Sequence, residues 1–427
     1  MSTGPHGWVD VRVSVRATSV AVLVAVPTLL AGLAVGASPA AAADVDCATV
    51  TADSDTGRAV SASVPMGLLD IAAAQAAVPG RPGAGQTVAV VDGGIAASAS
   101  LPRVEHPYRP APVVDYHGTA VAGLVAGASE DDGPVGVAPA ARLLDVRVYD
   151  ESPVTSQGAR APTSASVAGG LAWVWRHRRD EGIGVVVVAV AVPDSARLSR
   201  VVQRLVRADV VVVAASGNRP TDDADPLYAD FGQRRLGEDA VDRVFPAGYP
   251  GVVAVTATAA GAPGVDARDE VLPNSAIRVA APTYGAVTVG LNGQTCVLPQ
   301  VATSWAAAEV AGVVVLLRQR FPDDRAAQIV ARLVDTADGR RDDPTRTTGA
   351  GTIQPVEALT RPLTPDRDGA LVGAAARPRR HPASHGAAAG VLRAAGGARQ
   401  RPLVGARRRR APRARHGRAA LGGLQRR

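Results

Sequence analysis

Four residues, far apart in the chain, have the types and the settings needed to cleave an amide: Asp92, His117, Asn218 and Ser304. A serine hydroxyl attacks a carbonyl only when a base takes its proton, a carboxylate holds that base in the right tautomer, and a donor faces the oxyanion that forms. In this set Asp92 is the carboxylate, His117 the base, Ser304 the nucleophile and Asn218 the oxyanion donor. Taken singly, each has a plainer reading. A Ser near a helix start caps it more often than it reacts, an Asp after a strand caps a turn, and a His at a helix start is one more polar end residue. Jointly the plainer readings lose, because all four stand at the ends of elements that build sites.

The first of these elements is the run Gln86-Thr87-Val88-Ala89-Val90-Val91-Asp92-Gly93-Gly94-Ile95, continuously apolar and then closed by an acid and two glycines. That is the pattern of a buried parallel strand meeting a turn at its C-terminal end, where open α/β sheets place their sites. Residues 115–127 read as a closely packing helix of very small residues with His117 at its start. A strand over 209–215 closes on Ser216-Gly217-Asn218. Residues 301–318 read as a helix whose apolar residues recur on nearly every face, so it is expected to be buried, with Ser304 in its first turn.

Around them strands are expected at 142–148, 184–192 and 251–256, and helices at 164–179, 195–207 and 323–337. This alternation predicts an α/β fold: a doubly wound, mostly parallel sheet flanked by helices and joined by right-handed crossovers, complete by about Leu359. The expected organisation is residues 1–43 an export signal, 44–84 an N-terminal extension, 85–360 the α/β domain, and 361–427 a tail. Only two histidines besides His117 lie in the body, His106 in a Pro-flanked loop and His177 at a helix end. Neither stands in a comparable motif.

At 427 residues and 47% hydrophobic content the chain can bury a large core. Its +7 net charge misleads, because 17 arginines and two acids from Arg361 onward leave the first 360 residues at about −8. No basic stripe with interleaved aromatics crosses the body, so nucleic acid is not the expected partner. A dinucleotide site suggested by Asp92-Gly93-Gly94 lacks the glycine pattern that opens the following helix. The expected chemistry calls for neither metal ion nor cofactor.

The N-terminus has the parts of an export signal: Arg12 and Arg16, an apolar run over 17–37, and a small-residue segment ending near Ala43. The run is also near bilayer length, but Pro27 and the Ala-rich end favour cleavage and an exported protein. Cys47 and Cys296 then invite a disulfide, the alternative being two separate buried thiols. The tail reads as a disordered, solvated, Arg-rich segment, a composition that a reading-frame change near Asp366 in GC-rich DNA also produces.

Val88-Ala89-Val90-Val91-Asp92, His117-Gly118-Thr119-Ala120-Val121-Ala122-Gly123, Gly136-Val137-Ala138-Pro139, Ala214-Ala215-Ser216-Gly217-Asn218 and Thr303-Ser304-Trp305-Ala306-Ala307 resemble the subtilisin-like serine proteases, whose chain order Asp, His, Ser is the same. Within them the run Phe245–Val255 and the segment from Gly136 to Leu144 are similar to the mycosins, the proteases of type VII secretion systems. The resemblance covers roughly residues 85–358. It implies an exported or envelope-associated serine endopeptidase acting on a protein or peptide substrate, with type VII secretion components as partners, or else a weakly active fold serving as a structural part of such a complex.

Mycosins end in a transmembrane helix, where this chain has its Arg-rich tail, so membrane contact stays open. Three positions depart from the family pattern: Ala302 for Gly, Ala308 for Pro, and Gly93 for Thr or Ser. Ala302 obstructs the backbone only if the position demands positive φ, and Gly93 removes a hydroxyl beside Asp92. The segment 186–194 lacks the strand edge that lines the substrate pocket in many relatives, so no side-chain preference is implied.

Overall fold

The computed structural model describes residues 44–371 apart from 56, 57, 226 and 341; residues 1–43, expected to be an export signal, and residues 372–427 of the Arg-rich stretch lie outside them. Helices α1 (Val64–Leu68) and α2 (Ile71–Ala76) precede strands β1 (Thr87–Asp92) and β2 (Val104–Tyr108). Helix α3 (His117–Ala126), β3 (Arg142–Arg147), α4 (Ser164–His177), β4 (Ile183–Val188), α5 (Ala196–Arg207) and β5 (Val211–Ala215) follow. Two single turns, α6 (Tyr228–Phe231) and α7 (Ala267–Glu270), flank β6 (Val253–Thr258). After β7 (Ile277–Pro282) a hairpin, β8 (Ala286–Val289) and β9 (Thr295–Leu298), leads into α8 (Thr303–Arg320), α9 (Ala326–Asp335) and α10 (Pro355–Thr360).

The seven strands of the main sheet are all parallel, in the order β2-β3-β1-β4-β5-β6-β7, as the alternation of strands and helices predicts. The central strands are Val-rich and buried on both faces, which is what parallel sheets demand. Their period of two divides the core. Val88 and Val90 of β1 face the layer that holds α3 and α8, while Ala89 and Val91 face α4 and α5. Helix α8 lies in the first layer with every residue from Thr303 to Leu317 buried, as its all-round apolar sequence predicts.

Three features escape a reading by hydrophobic pattern. Strand β2 contains Pro107, which has no N–H for a ladder, and it is accordingly an edge strand. His106, expected in a loop, lies on that strand with Nδ1 2.9 Å from Asp145 Oδ2. The hairpin packs on α3, where the Thr288 hydroxyl donates to the Ala120 carbonyl at 2.7 Å.

The N-terminal extension also belongs to the core. Cys47, Val50, Met66 and Ile71 are buried with the α3 and α8 layer, Val297 N–H donates to the Val45 carbonyl at 2.8 Å, and the sulfurs of Cys47 and Cys296 are joined. Residues 361–371, whose composition groups them with the tail, lie against α9: the Gln328 side-chain amide donates to the Pro365 carbonyl at 2.9 Å.

An acid lies among the apolar residues of α8. Glu309, in the middle of α8, is fully buried, and among the described residues neither carboxylate oxygen has a hydrogen-bond partner. Desolvation pushes its pKa well above the ordinary 4.5, so the native state carries it as a neutral acid. A carboxyl with a raised native pKa keeps its proton when the unfolded chain has lost it. Its contribution is therefore whole below the free-chain pKa and falls as pH rises toward the native value, by about 1.4 kcal/mol per pH unit. Glu309→Gln should remove that slope, so that urea unfolding near pH 5 and near pH 7 shows a smaller loss of stability on raising the pH than in the wild type. Equal losses would assign the slope to another group.

Candidate active site

Asp92 is the last residue of β1, at the C-terminal end of the sheet, and is fully buried. A buried carboxylate must be paired or hydrogen-bonded, and three donors converge on Oδ1: its neighbour's backbone N–H at Gly93 (2.7 Å), the Tyr149 hydroxyl (2.7 Å) and His117 Nδ1 (2.9 Å). A carboxylate only accepts, so Nδ1 of the neutral imidazole carries the proton and Nε2 is left as the basic nitrogen.

His117 opens α3. Its backbone N–H donates to Asp115 Oδ1 at 2.9 Å, which ties down the helix end. The next residue sets how close the helix comes to the β1 turn, because a Cβ at Gly118 would lie 2.3 Å from the Gly94 carbonyl oxygen. Only a residue without a side chain lets His117 reach Asp92.

Ser304 lies in the first turn of α8 and is buried. The adjoining Trp305 packs its ring, tilted by 37°, against His117 with centroids 4.7 Å apart, and against Tyr116 at 6.3 Å. The serine and the imidazole are thus on two helices locked together by one indole. Ala302, the residue before the helix, has φ −140° and ψ 140°. This is extended backbone that any residue adopts, and the Gly-to-Ala change carries no conformational penalty. Ala308 lies inside an unbroken helix that gains a backbone donor where Pro would have removed one.

Asn218 follows β5, and its Oδ1 accepts from the Thr303 N–H at 2.8 Å and from the Thr303 hydroxyl at 2.9 Å. The Thr303 hydroxyl oxygen in turn accepts from the Gly217 N–H at 3.3 Å. With its oxygen engaged at the helix end, the Asn218 amide keeps its two N–H donors for other use. The N–H of Ser304 also lies in the first turn of α8, where no carbonyl of that helix can reach it.

The electrostatics follow from these contacts. Burial draws the His117 pKa down, but the charge of Asp92, its hydrogen bond and the charge of Asp115 outweigh burial, and the pKa lies above the ordinary histidine value. Burial likewise raises Asp115, against the His117 N–H and charge, which lower it. Burial, followed by the charges of Asp92 and Asp115, holds Tyr149 well above its ordinary value, so it is a neutral phenol that donates.

The structure brings Asp92, His117 and the Ser304–Trp305 turn together, with Asn218 on the same helix end. Asp115 and Tyr149 were not singled out in the sequence. Tyr149 stands just past the end of β3, whose Arg147 is in register with Asp92. A phenol immediately beyond the C-terminal end of a strand adjacent to the Asp-bearing one is the signal that could have found it.

Compared with known proteins, residues 83–351 match the Subtilase family. The chain is 35% identical over 318 residues to Mycosin-1 of Mycobacterium tuberculosis (strain ATCC 25618 / H37Rv), covering 66% of this chain and 70% of that one. It is 32% identical over 322 residues to Mycosin-3 of the same strain, with coverages of 65% and 68%. Among solved structures it is similar to MycP3 protease from the type VII (ESX-3) secretion system, with a TM-score of 0.56, 29% identity and coverages of 74% and 91%. It is also similar to MycP1 from the ESX-1 type VII secretion system, with a TM-score of 0.58, 26% identity and coverages of 77% and 96%. By sequence and by fold this chain belongs to the subtilase family of serine endopeptidases, and within it to the mycosins.

Proposed function

We propose that the chain cuts a peptide bond of an exported protein through an acyl-enzyme, with Ser304 as nucleophile, His117 as general base and then acid, and Asp92 as the carboxylate that holds the imidazole. The observation that carries this reading is the 2.9 Å Asp92–His117 hydrogen bond at the foot of a ring packed on the residue next to Ser304. In the first step His117 Nε2 takes the Ser304 proton as Oγ attacks the carbonyl. Asp92 compensates the imidazolium that forms. The negative charge on the substrate oxygen meets the free amide N–H of Asn218 and the N–H of Ser304 at the positive end of α8. His117 then gives its proton to the leaving amine, and water repeats the sequence to release the acid.

The partners and the place of action are read from the relatives: MycP1 and MycP3 are described as belonging to type VII secretion systems, which supports an envelope-associated role among such components. The same relatives support a second reading, a subtilase fold held as a structural part of the complex with little turnover of its own.

Labelling separates the two readings. A fluorophosphonate probe should modify the folded wild type at Ser304 and leave Ser304→Ala unmodified; folded wild type that takes up no label would favour the structural role. Asn218→Ala should lower kcat by about two to three orders of magnitude, a size that was itself measured for such a donor in a subtilisin. A loss within about threefold in folded protein would give Asn218 another task.

The pH profile has a definite sign. The base must be neutral, and His117 lies above its ordinary value of about 6.5, so kcat/KM should rise with pH through a midpoint above that value. Activity that is already flat below it would remove His117 from the role of base.

A further inference from the structure

The phenol of Tyr149 is 1% exposed, and its hydroxyl reaches Asp92 Oδ1 at 2.7 Å and lies 3.4 Å from His117 Nδ1. All three donors to Asp92 use Oδ1, and Oδ2 has no partner among the described residues. The orientation of the carboxylate therefore rests on what grips one oxygen. Of the three grips, the Gly93 N–H comes from the adjacent residue and His117 is the group being positioned. Tyr149 is the only one anchored elsewhere in the fold.

The phenol occupies the space of a side chain at position 93. A Cβ built on Gly93 would lie 2.9 Å from Tyr149 Cε2, 3.0 Å from Cζ and 3.2 Å from the hydroxyl oxygen. A contact of 2.9 Å to an aromatic ring that is itself wedged in the core cannot be relieved by a small rotation. A side chain at position 93 and a phenol at 149 therefore exclude one another, and only one of these positions can bring a hydroxyl to Asp92. Here the residue beside the aspartate has no side chain, and the hydroxyl comes from fifty-seven residues downstream.

We propose that Tyr149 is a positioning residue for the Asp92–His117 pair, supplying from beyond the end of β3 the hydroxyl that position 93 has no room to carry. This rests on the roles proposed above for Asp92 and His117. The phenol holds the Asp92 carboxylate in the plane that faces His117 Nδ1 and takes a share of the negative charge on Oδ1. The other charged groups around the pair are Asp115, which binds the His117 N–H, and Arg147, whose guanidinium donates to the Gly93 carbonyl at 3.1 Å and pairs with Asp150 at 3.0 Å. None of them touches Asp92 Oδ1, so none can replace the phenol.

The test is an exchange of the hydroxyl between the two positions. Tyr149→Phe keeps the ring and should lower kcat about tenfold with KM little changed, the low end of the loss that follows removal of a group orienting a metal-ligating side chain. Gly93→Thr alone should be at least as impaired, because its Cβ meets the ring. Gly93→Thr combined with Tyr149→Ala should recover most of the loss, although Tyr149→Ala alone does not.

A second measurement does not depend on turnover. With the phenol's share of Oδ1 removed, Asp92 holds the imidazolium more strongly, so the His117 titration followed by histidine-selective NMR should move upward in Tyr149→Phe. An unmoved His117 titration in folded Tyr149→Phe would overturn the positioning role. So would kcat within twofold of an active wild type. A wild type without peptidase activity whose His117 still shifts in Tyr149→Phe would sink the proposed function and leave the positioning role standing.

Discussion

The structure turns on one buried charge. Asp92 closes the β1 strand with no exposed surface, and a carboxylate in that position is tolerated only if donors are brought to it. What brings them is the packing of three separate elements on the end of β1. The turn after the strand supplies a backbone N–H, the chain leaving β3 supplies a phenol, and α3 supplies an imidazole. The small residues of α3 are one consequence. Gly118 sits where any side chain would collide with the turn, so the requirement for a closely approaching helix and the requirement for a paired carboxylate are met by the same residue.

From that charge the constraint passes to α8. The helix is buried over fifteen consecutive residues, and its start is fixed twice, through Trp305 against His117 and through Thr303 against Asn218. The Asn218 oxygen substitutes for a capping side chain, since Ala302 has none to offer. That arrangement orients the amide and leaves the Ser304 N–H in an unsatisfied first turn. The cap from Asn218 and the unsatisfied Ser304 N–H thus belong to one geometry, and an N-cap serine or aspartate at position 302 would take up the N–H of Ser304 or Trp305 instead.

Most of the frame was legible because the signals were strong where the burial was two-sided. The apolar run Val88-Ala89-Val90-Val91, the runs of valine at 185–188 and 211–213 and the all-round apolar helix after Ser304 allow few other readings. Strand β2 was hidden by Pro107, which lowers strand propensity everywhere except at an edge, and the hairpin by its short strands. The extension was opaque for another reason. Its Ala-rich sequence has no period, and its place in the core depends on contacts with β9 and the Cys47–Cys296 bond, pairs more than two hundred residues apart that no local pattern encodes.

The site divides along the same line. Asp92, His117, Asn218 and Ser304 stand at element ends with recognisable flanks. Tyr149 does not, because its role arises from the register of β1 with β3 and from an empty position at residue 93. The three departures from the family pattern also need coordinates to be judged. Ala302 matters only through a φ that proves extended, and Ala308 only through a helix that runs on without interruption. Gly93 differs from both: read alone it is a lost hydroxyl, whereas beside Tyr149 it is the clearance that another hydroxyl needs. A missing group in a motif is thus informative only once the space it vacates has been accounted for, and here that space is filled by a donor to the same carboxylate oxygen that His117 uses.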